Sequence, residues 1–149
     1  MEDLQSLRDA ASGSLDIRVS HTVELSSESE YPELSVQAFL NNNAGVYSYQ
    51  GQTSFTPEQL EQDCAIAPSS VGYSLNLEGT EFPVVGHTRH FDNNVVFIPI
   101  RSFLEHEFSL DSAELILDTI PTRKENNRIL ERLSALFPET SICLLYTSD

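Results

Sequence analysis

The stretch Gly86-His87-Thr88-Arg89-His90-Phe91-Asp92 gathers two imidazoles and a carboxylate within six positions. These are the donor types that bind a divalent metal, and a metal-bound water is the usual nucleophile of a metal-dependent hydrolase. His87, His90 and Asp92 are therefore the candidate ligands. Their spacing complicates the idea. On a strand, His87 and His90 point to opposite faces, so both reach one ion only across a bend or bulge. His90 and Asp92 share a face, and Glu105, His106 and Glu107 could add ligands from the segment that follows. No HExxH-type pattern is present. An edge strand carrying polar side chains in water is the favoured expectation for this stretch.

Other chemistry-bearing residues are less suggestive. Cys64 has no histidine nearby in sequence to activate it, so a structural, inward-packing thiol is expected. His21 falls on the apolar face of an alternating segment and reads as a core or rim histidine. The acidic stretch Ser26 to Pro32 lacks the D-x-[DN]-x-[DN]-G register of a calcium loop. Gly-rich phosphate loops, G-x-S-x-G elbows and CxxC pairs do not occur, no cofactor is implied, and no stretch carries a family signature. Catalytic residues therefore stay unassigned.

The elements that must position these residues follow from periodicity. Val95 to Ile98 is the densest apolar run, bounded by Asp92-Asn93-Asn94 and by Pro99, and reads as a strand buried on both faces. Ile100, Phe103, Leu104 and Phe108 continue it as a short helix. Residues 2–11 space as a helix ending at Gly13. Leu15 to Leu25 and Leu34 to Leu40 alternate as strands, and Val46 to Gln50 adds a third. Thr56, Pro57 and Gln59 make a capping box, with Phe55 placed to staple onto Leu60, and predict a helix to about Cys64. Val71 to Leu77 and Phe82 to Phe91 flank a hairpin turn at Glu78-Gly79-Thr80, and Pro83 suggests an edge. Glu114 to Ile120 fits a helix capped by Asp111 and Glu114, or a strand, equally well. Thr122 and Glu125 cap a helix whose stripe Ile129, Leu130, Leu133, Leu136 and Phe137 ends at Pro138. That helix holds Arg123, Lys124, Arg128 and Arg132. Lys124, Arg128 and Arg132 lie on one face, able to meet an acidic partner but more simply read as solvated.

The closing residues, 143–149, have strand composition but resemble the in-frame translation of a transposon-derived sequencing adaptor. That resemblance implies a non-native tail and a native chain interrupted near Ile142. The expected organisation is then one domain over residues 1–142.

Charge narrows the function classes. The 149 residues carry 23 acidic and 8 basic side chains, for a net charge of -15, and Lys124 is the single lysine. Phosphate backbones need several Lys or Arg, so nucleic-acid binding is disfavoured, as is docking on an anionic membrane. The first residues are acidic and amphipathic, unlike a secretory leader. Two cysteines, Cys64 and Cys143, fit a reducing, cytoplasmic setting. Hydrophobic residues make up 40% of the chain, enough for a packed interior.

The expected fold is α+β, a curved antiparallel sheet of five or six strands with short helices on one side and a helical C-terminal portion. The expected function is a non-enzymatic acidic binding domain for a basic protein partner, of an inhibitor, immunity or adaptor type. The rivals are the metal-dependent hydrolase on His87, His90 and Asp92, and the N-terminal domain of a longer protein.

Overall fold

A computed structural model describes residues 2–10, 16–24, 33–40, 48–51, 55–68, 71–88, 95–117, 122–137 and 144–148. The fold is α+β. Its elements are α1 (Glu2–Ala10), β1 (Asp16–Glu24), β2 (Glu33–Phe39), β3 (Ser48–Gly51), a 3-10 turn (Gln59–Glu61), β4 (Ala65–Pro68), β5 (Ser74–Leu77), β6 (Thr80–Thr88), β7 (Val95–Phe97), α2 (Ile100–Glu105), β8 (Ser112–Leu117), α3 (Arg123–Leu136) and β9 (Leu144–Ser148). Chain contacts group these into two compact units, one of residues 1–20, 39–44 and 109–149, the other of residues 21–38 and 45–108.

In the second unit the apolar run at Val95 forms an interior strand. β7 pairs parallel with β2, Val36 opposite Val96, and antiparallel with β4, Ile66 opposite Phe97. Val96, Ile98 and Ile66 are at most 1% exposed, as expected for a run without polar alternation. Each such side chain contributes roughly 1.5–3 kcal/mol relative to an exposed one. Pro99 ends the pairing and starts α2; the last sheet bond here runs from Ile98 N–H to the Gln37 carbonyl. β6 pairs antiparallel with β5 through its first half, then parallel with β4 and antiparallel with β3 through its second.

The first unit pairs Asp16–Ser20 of β1 antiparallel with β8, and β9 parallel with β8. The helices α1 and α3 pack on each other, with Leu7, Ile129 and Leu133 buried. The capping box of α3 forms as its sequence predicts: Thr122 Oγ1 accepts from Glu125 N–H, and the Glu125 carboxylate accepts from Thr122 N–H.

Several expectations need correction. The sheet pairing is mixed, not antiparallel throughout, and nine strands occur among the described residues instead of five or six. The additional strands are β4, β8 and β9, and β4 departs furthest from expectation. Thr56 and Gln59 do make their capping box, but only a 3-10 turn follows. Cys64 through Ala67 are buried, and pairing between β6 and β7 outcompetes another helical turn. β6 is an edge only at its start, as Pro83 suggests: Pro83 pairs with Ser74 on one side, Val84 N–H bonds to the Tyr73 carbonyl on that same side, and β4 joins the other side only from Val84, so the missing N–H of Pro83 falls where no described strand is paired. Of the ambiguous segment Glu114 to Ile120, the part up to Leu117 belongs to strand β8, and residues 118–120 lie outside the described residues. Glu114 lies directly opposite Arg18 on β1 and forms an ion pair with it. No helix among the described residues is long and apolar enough to cross a membrane.

Candidate functional site

Three segments of the second unit bring polar side chains into contact: the 3-10 turn with Gln62 and Asp63, the β5–β6 hairpin, and the C-terminal end of α2. Ser102 and His106 are four residues apart, hence on one helical face. Both reach Asp63. Ser102 Oγ lies 2.9 Å from Asp63 Oδ1 and 3.2 Å from the Gln62 carbonyl. His106 Nε2 donates to Asp63 Oδ2 at 2.9 Å. Its other ring nitrogen, Nδ1, lies 3.5 Å from Thr80 Oγ1. Phe82 meets His106 edge-on at 5.5 Å. One turn earlier, Arg101 bridges Glu61 and Glu105, and these carboxylates hold its guanidinium above the ordinary range, Glu105 most. Three consecutive residues, Glu61 to Asp63, are thus gripped by α2.

A second imidazole–carboxylate pair lies in the same unit. His21 is 9% exposed; its Nε2 donates to Glu78 Oε1 at 2.8 Å, and its ring stacks on Phe108 at 5.5 Å. It is a satisfied core-rim histidine, as its place on the apolar face of β1 predicts.

Two of the rim carboxylates sit where the backbone favours glycine. Glu78 has φ of 50° and Glu107 has φ of 55°, the only non-glycine positive values among the described residues. Glu78 and Gly79, with φ of 94°, form the two-residue turn between β5 and β6, where the twist of the strands requires left-handed geometry. Glu107 ends α2 in a Schellman arrangement: Phe108 N–H bonds to the Phe103 carbonyl, Glu107 N–H to that of Leu104, and the Phe103 and Phe108 rings meet at 5.6 Å.

In a nucleophilic triad the base stands between hydroxyl and carboxylate. Here Asp63 stands between Ser102 and His106, and Ser102 is 2% exposed. Thr80 is on the triad side of His106, opposite Asp63, at 3.5 Å, longer than the ~2.6–3.2 Å usual between a nucleophile and its base. Burial, with the Asp63 carboxylate adding, pushes the Cys64 thiol up to about 11. It is therefore protonated and inert near neutrality. What the site offers is carboxylates: Glu58, Glu61, Glu78, Glu105 and Glu107 are exposed, with Arg101 and the histidines committed among them, whereas Glu81 alternates to the opposite face of the hairpin from Thr80 and Phe82 and accepts from Ser74.

Of the sequence-predicted metal ligands, His90 and Asp92 lie outside the described residues. His87 is half-buried near the end of β6, not in water. Its Nε2 donates to the Gly72 carbonyl at 2.8 Å, and Tyr73 meets it edge-on. A metal there would have to bind through Nδ1 or break that bond. His106 spends Nε2 on Asp63. Among the described residues no group of three His, Cys, Asp or Glu side chains is placed to hold a metal ion. Sequence reasoning missed the Asp63–His106 contact, which joins residues 43 positions apart. Only the i, i+4 placement of Ser102 and His106 hinted that they act on one target.

Neither a family model nor a curated protein matches the chain. Among solved structures it is similar to the extracellular domain of the noncanonic ABC-type transporter YknZ from Gram-positive bacteria, at 13% identity and a TM-score of 0.49. The overlap covers 70% of this chain and 64% of that domain, so less than two thirds of the latter's length is spanned.

Proposed function

We propose that the protein is a non-enzymatic binding domain whose carboxylate rim on the 3-10 turn, the β5–β6 hairpin and the end of α2 receives a basic protein partner. The observation that carries this reading is the backbone of Glu78 and Glu107. An acidic side chain at a left-handed position costs about 1–2 kcal/mol that glycine would avoid. Strain of this kind concentrates at functional sites. The chain net charge of -15 adds long-range attraction for a cationic partner. Protonated, buried Cys64 and the interposed Asp63 support binding over catalysis. The unpaired Cys64 thiol suits a reducing, cytoplasmic setting.

The test is titration with a synthetic lysine- and arginine-rich peptide. Glu58→Gln, Glu78→Gln and Glu107→Gln together are expected to weaken binding about tenfold, at ~0.2–1 kcal/mol per exposed charge. Asp9→Asn, Glu24→Gln and Glu33→Gln, an equal change of charge at exposed positions elsewhere, are expected to have a much smaller effect. Equal weakening by both sets reduces the attraction to bulk charge and rejects a dedicated surface.

A further inference from the structure

The cationic face of α3 is not explained by the acidic rim or by the stability of the helix. Arg123 and Lys124 occupy the first two helical positions after the Thr122 cap, where the helix dipole is positive and cations are disfavoured. Lys124, Arg128 and Arg132 repeat at i, i+4 and i+8, so each neighbouring pair is a like-charge contact. Among the described residues none of the four cations forms an ion pair. All four are exposed, and with Asn127 and Glu131 they line an open depression of about 530 Å³. Four of the eight basic residues of a strongly acidic chain are thus placed together on one surface, at a cost to the helix that carries them.

We infer that this face of α3 docks an acidic peptide segment of a partner protein. The complementarity is one of charge and spacing. Lys124 to Arg132 spans about 12 Å along the axis, one cation per turn at ~6 Å. Carboxylates one helical turn apart, or at alternate residues of an extended chain, recur at about the same distance. The arginine forks and the Asn127 amide can take carboxylate oxygens in pairs. A membrane surface fits poorly. The apolar stripe of α3, Ile129 and Leu133, is buried within its own unit and nothing apolar accompanies the cations outward. A nucleic acid fits less well because it must engage several phosphates at once, whereas two or three carboxylates one turn apart suffice for a peptide; both meet the same net charge of -15.

The experiment is fluorescence anisotropy with a labelled octaglutamate peptide, with octaglutamine and an oligothymidylate of eight phosphates as comparison probes. At about 50 mM salt, where screening is moderate, octaglutamate binds and octaglutamine does not. Arg128→Gln with Arg132→Gln weakens octaglutamate binding about tenfold, while the thermal melt by circular dichroism stays in place or rises, because a like-charge contact has been removed. Three results overturn the inference: no octaglutamate binding, equal binding by the double variant with an unchanged melt, or tighter binding of the oligothymidylate, which would assign the face to phosphate.

Discussion

Glu107 combines two effects that a substitution can separate. Its φ of 55° is the conformation glycine adopts at the end of a helix. Glu107→Gly is therefore expected to raise stability in urea unfolding by about 0.5–1 kcal/mol while weakening the basic peptide. A stability loss, or stronger binding, contradicts the role given to this residue. Ser102 is the opposite case. Removing its hydroxyl leaves one oxygen of a partly buried carboxylate without its donor, so Ser102→Ala is expected to cost about 1–2 kcal/mol. Cys64 sets an alkaline limit. Its folded pKa lies above the ordinary 9.0, near 11, so the protonated thiol favours the folded state. That contribution is complete below pH 9 and is lost as pH rises from 9 to about 11. Unfolding of wild type and Cys64→Ala followed over this range should converge, and parallel curves would show that Cys64 does not titrate as described.

At the scale of elements, what could be read from the sequence was what local chemistry decides. Thr122 and Glu125 satisfy the first turn of α3 by themselves, so their pattern predicts the helix start correctly. Thr122→Ala is expected to cost about 1 kcal/mol in the same unfolding measurement. The run at Val95 and the Glu78-Gly79 turn were equally legible, one from unbroken burial and the other from conformational demand. The Thr56 box was legible too, yet it capped almost nothing. Local capping contributes about 1 kcal/mol, while burying Ile66 and its neighbours between two strands contributes several times more. β8 shows the same conflict: Asp111 and Glu114 can cap a helix, but Arg18 across the ladder offers Glu114 a partner that burial makes valuable. Burial also holds the Arg18 guanidinium below its ordinary range, so an unpaired Arg18 would be costly. The candidate site was the least legible part. Asp63 meets His106, and His21 meets Glu78, only because strand pairing carries distant segments together.

For the whole molecule, the decisive quantity is the placement of charge. A net charge of -15 alone speaks for solubility and fast association with cations, not for a surface. Structure adds two departures from an even coat: carboxylates held at left-handed backbone positions in one unit, and a cationic helix face in the other. The first is the centre of the account, and amide hydrogen exchange in the presence of the lysine- and arginine-rich peptide tests it most directly. The predicted result is slowed exchange at residues 58–63, 78–81 and 100–107, fading as salt is raised. Protection spread evenly over both units, or centred on α3 and β8 with those segments unchanged, would contradict it.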